Sequence, residues 1–243
     1  MFVKENKSEG RNCKSAIALT CILDKHFAKA VSLLEDMKQQ RSLTTARDHF
    51  LLYKAYVLLG DDLKSSATIK DMMEADDFHG DYLTLSATEA INASLNKVGI
   101  KCLQNLLRIS SDNGRHYALI CRNLIRLMLQ EDESKAEILT VFESISELAV
   151  SKGANIVLGL DSELEKECTW FAYHAYNCGL DCISIGCEKN EIENWKLASR
   201  YFGISKKFAS IARDACTGHL EPLFAWSCFW NALGINMESL RLV

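Results

Sequence analysis

The segment KECTWFAYHAYNCGLDC, residues 166–182, places three cysteines and one histidine within seventeen positions. Thiolate sulfur and imidazole nitrogen are zinc ligands, and a cysteine activated by a histidine can act as a nucleophile. If the segment forms one helix, His174, Cys178 and Cys182 follow one another at intervals of four residues along one face. These residue types at this spacing raise three possibilities: a metal site, a catalytic Cys/His pair, or one wall of a helical scaffold.

The first two possibilities need partners that the sequence hardly offers. Eight helical residues rise about 12 Å, whereas zinc ligands lie about 2.0 to 2.3 Å from the metal, so all three residues cannot share one ion. Two further ligands would be needed, for which Cys216 and His219 form the compact candidate pair. A catalytic pair would need an orienting group and oxyanion donors, and the residues around His174 supply neither. We therefore predict no enzymatic activity, cofactor or metal; a helical enzyme or zinc protein that uses the 168–182 helix stays open as an alternative.

The composition predicts a helical protein with reduced thiols. The chain has 243 residues, 48% of them hydrophobic and 25% charged, with one proline and twelve glycines. Sheets need turn residues more often than this, so long helices are favoured. A net charge of −4 argues against direct nucleic-acid contact, and no apolar stretch reaches the roughly twenty residues of a membrane span. The ten cysteines include no Cys-x-x-Cys pair and favour a cytosolic or nuclear location.

A recurring frame of small and large residues predicts a helical repeat. The frame comprises Phe27, Ala30, Leu34 and Met37; then Ser65, Ile69 and Met72; then Cys102, Leu106 and Ile109; then, less well, Ala136 and Thr140; and finally Trp195, Ala198, Phe202 and Ser205. The first four small residues are 35, 37 and 34 positions apart, close to the tetratricopeptide period of about 34 residues. We expect an all-α fold, an α-α superhelix of tetratricopeptide-like helix pairs, with about nine helices over residues 15–243 and a polar, poorly ordered segment over residues 1–14.

The opening segment also resembles a known family. CTWFAYHAYNCGLD is similar to the motif of the Zip-four/Spo-twenty-two meiotic crossover proteins, the tetratricopeptide scaffolds of the ZMM group. The residues that carry the likeness, over about residues 160–235, are Trp170, Phe171, Tyr176, Asn177 and Gly179, then Ala198, Tyr201 and Phe202, and finally Trp230 and Asn231. The resemblance implies a nuclear, chromosome-associated scaffold that binds meiotic chromosome or crossover proteins and has no active site. A general cytosolic tetratricopeptide adaptor is the alternative.

The aromatic residues of these segments are candidates for packing or for partner contact. We expect Trp170 and Tyr176 to be mostly buried against the helix that contains Trp195, Ala198 and Phe202, because small residues of the first helix leave room for large ones of the second. The stretch PLFAWSCFWNALGI holds Phe224, Trp226, Phe229 and Trp230, more aromatic residues than one helix face can bury. It is therefore either the docked final repeat or an apolar surface for a partner.

Overall fold

The computed structural model describes residues 2–40, 45–110, 114–189, 191–215 and 223–231. The described residues form helices joined by short turns, with no strand among them. The helices are α1 (Phe2–Leu23), α2 (Phe27–Gln39), α3 (Ala46–Leu59), α4 (Asp62–Met73), α5 (Asp81–Asn92), α6 (Asn96–Ile109), α7 (Gly114–Gln130), α8 (Lys135–Lys152), α9 (Ala154–Leu158), α10 (Asp161–Lys189), α11 (Ile192–Ala215) and α12 (residues 223–231). The predicted all-α, helical-repeat fold class is confirmed.

The chain divides into two compact units, Met1–Ile109 and Ser110–Val243, where the sequence analysis had a single domain over residues 15–243. In the first unit, three hairpins follow one another: α1 with α2, α3 with α4, and α5 with α6. Neighbouring hairpins pack through α1 on α3, α3 on α5, and α4 on α6. Each hairpin therefore buries its apolar face partly against the next one, as in repeat proteins.

Hydrogen bonds within the first unit repeat the period of the chain. Ser15 of α1 donates to Asp48 of α3 at 2.6 Å, and Tyr53 of α3 donates to the backbone carbonyl of Ser86 in α5 at 2.7 Å. Both bonds join residues 33 positions apart, about one tetratricopeptide repeat. The equivalent first helices of consecutive hairpins are thus linked side by side through buried polar groups.

In four of the five occurrences of the repeat frame, its small and large residues lie on the buried face of their helix. Each of the following is at most 7% exposed: Ala30, Leu34, Met37, Ser65, Ile69, Met72, Cys102, Leu106, Ala198, Phe202 and Ser205. The frame is wrong at Ala136 and Thr140, which are both exposed. In α8 the buried residues are instead Leu139, Phe142 and others on a broad face, so the match at Ala136 was accidental. Ile109 is also 45% exposed, and the two aromatic residues of the frame, Phe27 and Trp195, are only partly buried.

The helices of the second unit differ widely in length. Helices α10 and α11 have 29 and 24 residues and form one long hairpin. Before them lies α9, only five residues long, between Gly153 and Gly159, whose φ angles of 95° and 105° favour glycine. These two turns set α9 against α7, α8 and α10, and so create the wall of the groove described below.

Two of the sequence predictions concern the N-terminal segment and membrane spans. Helix α1 runs from Phe2 to Leu23 and includes most of the polar segment 1–14; how well ordered that segment is stays a prediction. Among the described residues, no helix combines the length and the apolar character that a membrane span requires.

Candidate functional site: a groove between α7, α9 and α10

A groove of about 780 Å³ opens on the second unit between α7, α9 and α10. It is lined by Ala118, Leu119 and Arg122 of α7, by Val157 and Leu158 of α9, and by Glu163, Glu165, Lys166, Glu167, Thr169, Trp170, Tyr173 and His174 of α10. We call it the α7–α10 groove. Its volume lies in the range of about 300 to 1,000 Å³ that is typical of ligand sites.

Long side chains of α7 and α10 meet at one wall of the groove. The Arg122 guanidinium forms an ion pair with Glu167, 45 residues further along the chain. The same guanidinium lies 5.1 Å from the centre of the Trp170 ring, in cation–π contact. The His174 ring stacks on Trp170, with the ring centres 4.0 Å apart. Arg122, Glu167, Trp170 and His174 therefore form one assembly, which holds its aromatic rings in fixed positions.

The hydrogen bond of His174 determines which ring nitrogen carries the proton. Its Nδ1 lies 2.9 Å from the backbone carbonyl oxygen of Trp170, one turn earlier in α10. A carbonyl oxygen can only accept, so Nδ1 must be the donor. In the neutral imidazole Nε2 is then an acceptor. In that form His174 has a hydrogen-bond acceptor at Nε2.

Behind this wall, the opposite face of α10 packs on α11 at close range. A Cβ atom at Gly179 would lie 2.8 Å from the Phe202 ring, so the absence of a side chain there lets the two helices approach. The ring of Phe202 also meets Tyr176 edge-on, 5.4 Å between centres. Trp195 lies instead against Gly186, 3.1 Å from the position that a Cβ would take. The expected packing of α10 on α11 is present, but Trp195 fills the space at Gly186, not at Gly179.

The candidate residues from the sequence divide into buried and accessible ones. Phe171 and Phe202 are completely buried, whereas Trp170, Tyr176, Trp195, Trp230 and Asn231 are partly buried, and Asn177 and Trp226 are exposed. The two aromatic-Asn pairs are not equivalent: Asn231 donates to the carbonyl of Ser199 at 2.8 Å, while the side chain of Asn177 faces solvent. Trp226 meets Phe229 edge-on at 6.0 Å; the residues after 231 lie outside the described part of the chain.

The histidine and cysteines of α10 face different surroundings. His174 lines the groove, whereas Cys178 and Cys182 are buried near Lys135 of α8 and Tyr201 of α11. Burial raises the pKa of each of these two thiols from 9.0 to about 11, although the Lys135 ammonium acts in the opposite direction. Within the described residues, no three His, Cys, Asp or Glu side chains are placed to share a metal ion. Cys216 and His219, the further candidate ligands, lie outside those residues.

We expect thiol alkylation to separate the cysteines of the native protein into two classes. At pH 8, iodoacetamide should label the exposed Cys13 and Cys187, but not Cys178 or Cys182 until the protein is unfolded. A thiol with a pKa of about 11 is about one part in a thousand thiolate at pH 8. The raised pKa values also make the free energy of unfolding depend on pH, because the folded protein favours the protonated thiols. This contribution is fully present below about pH 9 and is lost as the pH rises through about 11. Mass spectrometry of the labelled peptides measures the pattern; rapid native labelling of Cys178 would contradict the buried arrangement.

The sequence analysis missed Leu119, Arg122 and Tyr173 as groove residues. Two of them are conspicuous in the structure, since Leu119 and Tyr173 are large side chains that are 52% and 46% exposed. A usable signal was present in Arg122, a charged residue that directly follows the apolar stretch YALIC of α7, because such a residue needs a partner when it is half-buried.

Fold and groove together define a helical-repeat protein with an aromatic-walled surface groove. A scan of the sequence against models of known protein families finds no match.

Proposed function

We propose that the protein is a protein–protein interaction scaffold that binds its partners through the surface of its helical repeat, without a reaction of its own. The observation that carries this proposal is the α7–α10 groove, where Leu119 and Tyr173 expose about half of their large side chains beside a rigid Trp170 and His174 stack. Rigid aromatic side chains at the edge of a groove lose little conformational entropy on binding and are frequent anchors of interfaces.

The proposed partners are meiotic chromosome or crossover proteins, and the proposed location is the nucleus. This finer proposal is supported by the sequence resemblance to the Zip-four/Spo-twenty-two scaffolds alone. A general cytosolic adaptor with the same groove would bind unrelated partners, so the identity of the captured proteins distinguishes the two.

Photo-crosslinking tests the groove as the binding surface. With p-benzoylphenylalanine in place of Tyr173 in the full chain, we expect irradiation of meiotic cells to yield discrete crosslinked species. The matched control places the same probe at Val150, which is 68% exposed on α8 of the same unit but does not line the groove. Mass spectrometry then identifies the partners.

Three results are distinguishable. Chromosome-associated proteins crosslinked at position 173 and not at position 150 would support the meiotic scaffold. Cytosolic proteins crosslinked in the same selective way would support the general adaptor. Equal crosslinking at both positions, or none at position 173, would contradict the groove as the interaction surface.

A further inference from the structure

The groove has an apolar floor that suits a large hydrophobic side chain. Ala118, Val157 and Leu158 are almost completely buried and line its inner surface. Leu119 and Tyr173 stand at its edge, each about half exposed. A side chain that entered between them would cover apolar surface on both, and removal of such surface from water is the main favourable term in association.

The charges of the groove disfavour an anionic ligand. The lining contains three carboxylates and two cations: Glu163, Glu165 and Glu167, and Arg122 and Lys166. Arg122 is already engaged, by its ion pair with Glu167 and its contact with Trp170. The same ion pair neutralises Glu167, so the lining as a whole keeps a small net negative charge, and like charges brought together across an interface oppose binding.

Two acceptors that line the groove have no hydrogen-bond donor in the part of the chain that the structure describes. The Oε2 atom of Glu167 is buried and has no hydrogen-bond partner, although its Oε1 atom accepts from Arg122. The geometry of His174 leaves Nε2 as an acceptor, as argued above. Because the Oε2 atom of Glu167 has almost no accessible surface, a ligand in the groove would meet the carboxylate of Glu165 and the Nε2 atom of His174 first, and both can accept from N–H donors.

From these observations we propose that the groove binds a linear segment of a partner protein in which a lysine or arginine lies within four positions of a large apolar residue. The apolar side chain lies on the floor between Leu119 and Tyr173, and the basic side chain donates to the carboxylates and imidazole of α10. This rests on the proposed scaffold function and names the chemistry of the partner at that site. The same charges disfavour phosphopeptides and nucleic acids.

Selection from random peptides tests the proposed chemistry. Twelve-residue peptides displayed on phage are panned against the full chain, and the enriched peptides are synthesised and their affinity is measured by fluorescence polarisation. We expect enriched sequences with a basic residue within four positions of Leu, Ile, Met, Phe or Trp. Tyr173→Ala should weaken their binding about 10-fold or more, and Glu165→Lys about 5- to 20-fold.

The control is a charge reversal of equal size outside the groove. Glu137 is exposed in the first turn of α8 and does not line the groove. Glu137→Lys changes the net charge of the chain as Glu165→Lys does, so it should change affinity less than 2-fold if the effect is local. Circular dichroism checks that each variant remains folded, and a rise in salt concentration should weaken the wild-type complex.

Each other outcome overturns this proposal in a recognisable way. Enriched peptides that are acidic or uncharged but sensitive to Tyr173→Ala would overturn the basic chemistry and leave the scaffold function standing. Peptides insensitive to both groove variants, or no enrichment at all, would overturn the groove as a site for a linear segment. Self-association of the chain that Tyr173→Ala abolishes would mean that the occupant is a second copy.

Discussion

Replacement of Phe171 by alanine is expected to lower the free energy of unfolding by about 3 to 5 kcal/mol. Phe171 is completely buried in α10, and its ring meets three other aromatic rings from α8, α10 and α11. Phe208 stacks on it at 5.1 Å between ring centres, while Phe142 and Trp170 meet it edge-on at 6.2 and 5.0 Å. Alanine would leave a cavity that rings from three directions cannot close. Urea unfolding followed by circular dichroism measures the loss.

Tyr173, two residues along the same helix, provides the control for this variant. Tyr173 is 46% exposed, so Tyr173→Ala should change the free energy of unfolding by no more than about 0.5 kcal/mol. Equal loss of stability in the two variants would mean that the buried face of α10 is assigned incorrectly. Such a result would also remove Tyr173→Ala as a clean test of binding.

The expected importance of Trp170 changes with the structure. Its position in the motif predicted a mostly buried, stabilising residue, and the indole is indeed partly buried. It is covered on the groove side by Arg122 and His174 rather than by the apolar core. A ring covered by such polar groups stabilises the fold less than a core ring does. We therefore expect the larger loss in the free energy of unfolding when the adjacent Phe171 is replaced by alanine. A sequence motif names both residues but does not tell which one faces inward.

Local spacing predicted the buried faces of short helices well. The frame of Ala30, Leu34 and Met37 identified three completely buried residues, because one small residue among larger ones marks the point where two helices cross closely. The same rule failed in α8, whose buried face is too broad for a single stripe to define. A pattern of three residues then matches by chance, as it did at Ala136.

The groove could not be predicted, because it depends on contacts between distant segments. The ion pair of Arg122 with Glu167 spans 45 residues, and no local pattern in either helix requires it. The wall formed by α9 depends on Gly153 and Gly159, whose positive φ angles allow the turns on either side of this short helix.

The histidine and cysteines of the opening segment illustrate how helical geometry separates residues. Steps of four residues turn about 40° beyond a full rotation, so Cys182 points about 80° away from His174. This rotation around the helix axis is enough to place His174 in the groove while Cys178 and Cys182 lie buried near Lys135. The stretch therefore serves two surfaces: Trp170, Tyr173 and His174 line the groove, whereas Phe171 and the thiols pack inside.

Replacement of Gly179 by valine is expected to destabilise the protein by about 3 kcal/mol, at the upper end of the range for an overpacked core. The Cβ atom alone would lie 2.8 Å from the Cε1 and Cζ atoms of Phe202. That ring cannot move away easily, because it is completely buried and is stacked on Trp230 at 6.1 Å between centres. Valine and glycine differ little in helix propensity compared with this overlap, so the unfolding free energy reports the steric term.

Gly203, which is only partly buried in α11, provides the matched control. Among the described residues, a Cβ atom there would meet the Nδ2 atom of Asn231, at 3.2 Å, so it disturbs at most the one hydrogen bond from Asn231 to the Ser199 carbonyl. Gly203→Val should therefore cost about 1 kcal/mol or less. In the Gly179→Val background, the smaller side chain of Phe202→Leu should recover about 1 kcal/mol or more relative to its effect in the wild type, a coupling typical of residues in contact. Two results would contradict this packing: equal tolerance of Gly179→Val and Gly203→Val, or no coupling between Gly179→Val and Phe202→Leu. Either result would mean that α10 and α11 do not approach each other closely at Gly179.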